Sequence, residues 1–314
     1  MIQLSNIRDK KAENAFFAAL CSRLDNNFKN HLGDLYSIIS RLPDISGDYK
    51  NGSPAINQTW LKDFILSNFN TLREWTKNYD CVLKSSNIFK DIYTDYFSKG
   101  PNVYLNTEKT YNAYDFLKNL KISVCPYCED EYIDVIINND GANIIRTAEL
   151  DHFFPKSEYP LLAMSYYNLI PSGKNCNHIK KSKNMGMCPY EEEIETKTYL
   201  YPDIPVGINF ESISPDQCAV KFHAKGEMKK NISVLHLEER YEHTKNIVRD
   251  ILKNKQQFCP ELLHALPQEM QDKILRSLFD TPDESEKYHE LHVKLRKDVA
   301  HCIFRRVSTT CTEF

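Results

Sequence analysis

Apolar residues recur three and four apart from about Ile7 to Leu42, as in Ala15, Phe16, Ala19, Leu20 and Leu24 and again in Leu32, Leu35, Ile38 and Ile39. That spacing predicts helices. Between Pro43 and Pro54 the clusters Ser46-Gly47-Asp48 and Asn51-Gly52-Ser53 predict a surface loop. Helical spacing resumes over Trp60 to Asn70 and Thr71 to Phe97, rich in Phe, Tyr and Trp. Because these aromatics follow helical and not strand periodicity, they are expected in a core, not on a base-stacking platform.

Tyr111 to Leu120 is a short helix candidate. Tyr132 to Ile137 is a β-rich run ending at Asn138-Asn139-Asp140-Gly141, with Asn143 to Leu150 as the return strand of a hairpin. A helix is expected to start after Cys176. Beyond Pro189 the prolines Pro202, Pro205 and Pro215 mark an irregular stretch, and Cys218 to His223 alternates like an edge strand. Helical patterns return over Glu238 to Asn254 and Tyr288 to Val307. The expected fold class is α+β and predominantly helical. It divides into an N-terminal helical region (1–120), a small core (121–188) and a C-terminal region that is irregular or strand-like and then helical (189–314).

The 314 residues exceed the size at which single cores commonly stop growing, about 250–300 residues, which favours several units. No apolar run approaches the ~20 residues of a membrane span, and the N-terminal residues carry no signal-peptide pattern, so a soluble, cytoplasmic protein is expected. In that setting ten cysteines read as reduced thiols with a metal-binding subset. Cys125-Pro126-Tyr127-Cys128 is the close pair, while Cys21, Cys81, Cys218, Cys259, Cys302 and Cys311 are expected as buried core residues. A net charge of −3 gives no global attraction to nucleic acid, so any such attraction must be local. Lys174, Lys180, Lys181 and Lys183 form a run without acids, before Glu191, Glu192, Glu193 and Glu195 reverse the sign.

The chemistry gathers between Glu149 and Lys180. His152 is the candidate general base, since imidazole accepts protons near neutrality. Asp151 offers a hard oxygen to a divalent cation and Asn177 a second, a set that suits Mg²⁺ or Mn²⁺. Adjacent strand residues point to opposite faces, so Asp151 and His152 can share a site only where the strand bends or ends. Asn168 is expected to brace the loop and orient His152. Lys180, close to one helical turn past Asn177, is expected to reach a phosphate oxygen. The remaining histidines, His223, His236, His243, His264, His289, His292 and His301, show no metal-ligand spacing. His289 and His292 lie three apart, but no third partner is visible.

Residues 125 to 183 resemble the HNH family of ββα-metal nucleases, in the version that carries two Cys-x-x-Cys knuckles around a structural zinc and an Asn at the third signature position. The resemblance implies a small ββα-metal core flanked by helices, with His152 as base, Asp151 and Asn177 as ligands of the catalytic metal, and Asn168 as loop organiser. It also implies a structural Zn²⁺ on Cys125, Cys128 and Cys176. Gly173 stands where the fourth cysteine should be, which leaves Cys188 or His178 as the remaining ligand or the knuckle held by packing alone. The implied activity is metal-dependent hydrolysis of DNA phosphodiester bonds. The alternative is a zinc-knuckle nucleic-acid-binding or assembly subunit with weakened or absent nuclease activity.

The segments Phe154-Pro155-Lys156-Ser157-x-Tyr159-Pro160-Leu161-Leu162 and Tyr167-Asn168-Leu169-Ile170-Pro171-Ser172, with the later Leu237-Glu238-Glu239-Arg240-Tyr241, are similar to HNH effector subunits of bacterial anti-phage systems of the Septu type. This similarity implies an ABC-like ATPase as a separate partner, since the chain has no phosphate-binding Gly-x-x-x-x-Gly-Lys loop of its own. No recognition helix or basic arm stands out to indicate sequence preference.

Overall fold

The computed structural model describes residues 1–7, 9–99, 111–137, 144–256, 265–279 and 283–305. Among these residues the architecture is α+β and mainly helical, with three separate two-stranded antiparallel sheets. Contacts divide the chain into two compact units. The first comprises Gln3–Ile122 and Ile133–Glu192; the second comprises Met1–Ile2, Ser123–Tyr132 and Glu193–Phe314. The N-terminal helices and most of the segment expected as a separate core therefore pack as one unit.

The first unit opens with helix α1 (Lys10–Asn27), whose first turn is capped by Asp9, its carboxylate accepting from the Lys11 N–H at 2.8 Å. Ala12, Phe16, Phe17, Leu20, Cys21 and Leu24 are buried, the three-and-four stripe seen in the sequence. Helix α2 (Leu32–Ile39) follows as expected. The aromatic stretch after Trp60 is broken into shorter pieces: α3 (Thr59–Ile65), α4 (Phe69–Asn78), α5 (Asp80–Leu83), α6 (Ile88–Ile92) and a π-helical turn over Tyr93–Phe97. Asn68 stops the second piece from merging with the first by capping α4 through the Thr71 N–H at 3.0 Å. The rings are core, as expected: Phe64 stacks on Trp75 and on Phe89, with centroids 5.5 and 5.8 Å apart. Cys21 is buried, but Cys81, also expected inside, is exposed, because α5 turns Val82 and Leu83 inward instead. Helix α7 (Ala113–Leu120) starts at a capping box formed by Asn112 and Asp115.

The expected return strand over Asn143 to Leu150 is two strands. Strands β1 (Val135–Ile137) and β2 (Ile144–Arg146) pair with each other, and their connecting turn at Asn138–Gly141 lies outside the described residues. Strand β3 (Glu149–His152) instead pairs antiparallel with β4 (Leu169–Ser172), matching Asp151 to Ile170 and His152 to Leu169. Helix α8 (Lys174–Lys180) follows β4 after Gly173 and packs on β3. It begins at Lys174, before Cys176 and not after it as expected.

In the second unit, β5 (Thr198–Asp203) pairs with β6 (Ala219–Ala224). The stretch read as irregular therefore contains a strand. Pro202 is tolerated because a two-stranded sheet has only edges, where a missing N–H need not break a ladder. Leu200 and Val220 pack against Val248, Leu252, Leu295, Val299 and Ile303. These last five lie on α11 (Lys245–Gln256) and α13 (Val293–Arg305), which follow the short α9 (Met228–Leu235) and α10 (Leu237–Arg240) and enclose α12 (Gln268–Phe279) in sequence. Cys218 and Cys302 are buried as expected, whereas Cys259, Cys311 and His264 lie outside the described residues.

Candidate functional site

The strand pair β3–β4 and helix α8 carry Asp151, His152, Asn177 and Lys180, with Asn168 just before β4. Strand β3 ends at His152, with Asp151 and His152 both still in the regular register against Ile170 and Leu169, and Phe153 enters a loop running to Tyr166. Both side chains are buried.

Pro155 turns this loop by accepting from the Glu158 and Tyr159 N–H groups at 2.9 and 2.8 Å. Pro160 then begins a 3₁₀ helix (Pro160–Met164), a position where its lost N–H is harmless. Asn168 fixes this loop with three bonds. Its Oδ1 accepts from the Phe154 N–H at 2.8 Å, while its Nδ2 donates to the Phe154 carbonyl at 3.1 Å and to the Leu162 carbonyl at 3.0 Å. The next residue, Ala163, accepts from His152 Nε2 at 3.1 Å. Asn168 thus holds the loop whose carbonyl orients the imidazole; it is a positioning residue one step from His152.

A carbonyl only accepts, so Nε2 of His152 carries the proton and Nδ1 bears the lone pair in the neutral ring. Tyr93, at the head of the π-helical turn, packs edge-on against this ring with centroids 4.4 Å apart. Burial first, and then the nearby Lys156 ammonium, push the His152 pKa down to about 3, against a partial upward pull from the Ala163 bond. The imidazole is therefore neutral across the physiological range. Lys156 itself sits 4.4 Å from the Tyr93 ring centroid.

Lys180 does not face outward. Its side chain is fully buried, and its ammonium meets Asp151 Oδ1 at 3.0 Å and donates to the His152 carbonyl at 2.8 Å. The contact expected with a phosphate is replaced by an ion pair with the candidate metal ligand. Its three companions, Lys174, Lys181 and Lys183, are exposed. Asn177 is half-buried and donates from Nδ2 to Glu149 Oε2 at 2.6 Å, and His178 lies 3.7 Å from the same carboxylate. Glu149 is absent from the expected site. Its signal was available, since residues i and i+2 on a strand share a face and Glu149 stands two before Asp151. Glu149 and Asp151 stand two apart on β3, and Asn177 of α8 is hydrogen-bonded to the first of them.

Cys125, Cys128, Cys176 and Cys188 are all buried. The Cys125–Cys128 turn is closed by the Glu129 N–H donating to the Cys125 carbonyl at 2.9 Å, and the Asp130 N–H points at Cys128 Sγ at 3.4 Å. N–H groups aimed at sulfur favour the thiolate form that a metal needs. Cys188 occupies a similar turn, where its N–H donates to Glu191 Oε2 at 2.6 Å and its carbonyl accepts from the Glu191 N–H at 2.9 Å. Burial pushes the Cys188 thiol well up. His178, the other candidate for a fourth zinc ligand, is exposed beside Glu149.

Sequence reasoning also missed a second group, Asp130, His243 and His292, all in the second unit. The three-apart pair His289 and His292 does not act together: His289 Nδ1 lies 3.3 Å from Ser123 Oγ, while His292 Nε2 lies 2.7 Å from Asp130 Oδ1. Comparison of this chain with protein-family models, with curated proteins and with solved structures finds no match.

Proposed function

We propose that this chain is a metal-dependent endonuclease of the HNH type that hydrolyses DNA phosphodiester bonds. The observation that carries the reading is the joint placement of His152 and Asp151 at the end of β3, with Asn168 bracing the loop that orients His152 and α8 bringing Asn177 to the same strand. In the proposed reaction His152 Nδ1 takes a proton from water as the water oxygen attacks phosphorus. The bond from phosphorus to the 3′ oxygen breaks, leaving a 5′-phosphate and a 3′-hydroxyl that gains its proton from solvent. Asp151 and Asn177, with Glu149 beside them, would hold Mg²⁺ or Mn²⁺, which supplies charge stabilisation to the phosphoryl group. Burial, which lowers the His152 pKa to about 3, leaves the ring neutral but a weak base, so the role of base requires that DNA bound in the site raise its proton affinity.

A structural Zn²⁺ on Cys125, Cys128 and Cys176 belongs to the same reading, as the sequence resemblance implies, and each of the three thiols is buried. An anti-phage effector role with a separate ABC-like ATPase follows from the sequence resemblance. Activity that requires added ATPase would support that role, and robust cleavage by the chain alone would count against obligate control.

A second reading, a nucleic-acid-binding or assembly subunit without cleavage, is favoured by one observation. Lys180 already neutralises Asp151 inside the protein, so a cation would have to share that carboxylate with an ammonium. Plasmid cleavage by the purified chain and its His152→Ala form, in Mg²⁺, Mn²⁺ or EDTA, separates the two. Metal-dependent nicking that the variant loses is expected. Folded wild-type protein that binds DNA and does not cut it, with or without an ATPase partner, would establish the second reading.

A further inference from the structure

We propose a second metal site, distinct from the candidate nuclease centre, in which Asp130, His243 and His292 bind one Zn²⁺. The three residues come from three separate segments of the second unit: the turn after Cys128, the 3₁₀ turn Tyr241–Thr244, and the residue that precedes α13. Their ligand atoms lie within 4.8 Å of one another. His292 Nε2 is 2.7 Å and His243 Nε2 is 2.8 Å from the same oxygen, Asp130 Oδ1. In a tetrahedral zinc site with bonds of ~2.0–2.2 Å, neighbouring ligand atoms stand about 3.3 Å apart, so these atoms need to separate by roughly half an ångström.

The hydrogen bonding of His243 suits a metal ligand. Its Nδ1 lies 2.7 Å from the Arg240 carbonyl, which can only accept, so Nδ1 carries the proton. In the neutral ring the Nε2 lone pair faces a carboxylate oxygen, an arrangement relieved either by a second proton on the ring or by a cation between the two atoms. A ligating histidine with its other nitrogen bonded to a backbone carbonyl is the arrangement by which proteins fix the metal-binding tautomer.

The backbone around the group is also committed to this placement. His292 has φ +58°, as does Glu129 next to Asp130, a left-handed conformation that L residues other than glycine seldom adopt. The two are joined directly, the His292 N–H donating to the Glu129 carbonyl at 3.0 Å. Tyr241 seals the inner side, its ring edge-on to His292 at 5.6 Å and its hydroxyl donating to the Cys128 carbonyl. His243 is 58% exposed, so the outer side is open and water can complete the coordination. Two imidazoles and one carboxylate are a borderline-hard set that suits zinc over calcium or magnesium. Bound there, the ion would tie the Cys125–Cys128 turn to the starts of α11 and α13.

The test is zinc content per chain after equilibration with Zn²⁺ and removal of loosely bound metal, for wild type, His243→Ala, Asp130→Asn, Cys125→Ser and Asp151→Asn. His243 and Asp130 variants are expected to lose one zinc per chain with an unchanged circular dichroism spectrum, while the same equivalent persists in Cys125→Ser and Asp151→Asn. Co²⁺ titration of Cys125→Ser, in which the candidate thiolate site is broken, is expected to add visible bands from a nitrogen and oxygen site without thiolate charge transfer. Equal zinc content in wild type and His243→Ala, or the absence of those cobalt bands, would overturn the proposal, whatever the cleavage assay shows.

Discussion

At the scale of single residues, His152 and Lys180 carry opposite lessons. His152 is held neutral by burial, with a pKa of about 3 against an ordinary 6.5. The unfolded chain therefore binds more protons than the native one between those values, and stability must fall as pH drops through that window. The slope is at most about 1.4 kcal/mol per pH unit. His152→Gln is expected to flatten the acid side of the curve of unfolding free energy against pH; an unaltered curve would mean that the imidazole titrates normally. Lys180 stood out in the sequence as a cation beside the candidate site, but its direction was not legible. A lysine one turn past Asn177 can point out to a phosphate or in to Asp151, and only the packing of α8 on β3 decides. Removing one partner of a buried ion pair typically costs about 3–5 kcal/mol, because the other charge is left alone. Lys180→Met is therefore expected to lower the urea midpoint strongly, whereas a surface phosphate contact would leave stability nearly unchanged.

At the scale of elements, periodicity located helices well and their ends poorly. The stripe of α1 and the Asn112 capping box are local signals and stand in the structure as they stand in the sequence. The break between β2 and β3 has no such signal, because β3 finds its partner beyond a loop, at Leu169–Ser172. That loop is the element on which the candidate base depends, and Asn168 is its fastener. Asn168→Ala removes the partners of the Phe154 N–H and of the Phe154 and Leu162 carbonyls, a loss of about 1–3 kcal/mol by the usual cost of unsatisfied buried groups. If the loop aims His152, the variant should also lower kcat while leaving KM for DNA nearly constant, measured at a temperature where it remains folded. A drop in stability with normal kcat would reduce Asn168 to a structural brace. The group formed by Asp130, His243 and His292 was illegible at this scale, since Asp130 and His292 are 162 residues apart and no local pattern links them.

For the whole molecule, a net charge of −3 makes nucleic-acid attraction depend on where the charges sit. The acidic run after the lysines would cancel their field if it were free, yet it is largely paired. Glu191 meets Arg73 at 2.7 Å, Glu193 meets Lys197 at 2.5 Å, and Glu195 meets Lys287 at 2.9 Å. With Lys180 turned inward, Lys174, Lys181 and Lys183 remain as the exposed basic group near β3 and α8. Each phosphate neutralised contributes about −0.9 to the slope of log K against log salt on duplex DNA. Replacing all three lysines by glutamine is accordingly expected to reduce the magnitude of that slope by about 2–3 and to weaken binding equally for unrelated sequences. His152→Ala should leave the slope where it was, because His152 is neutral and buried. A slope unchanged by the triple substitution would move the DNA contact to another face, and with it the assignment of α8 to the interface.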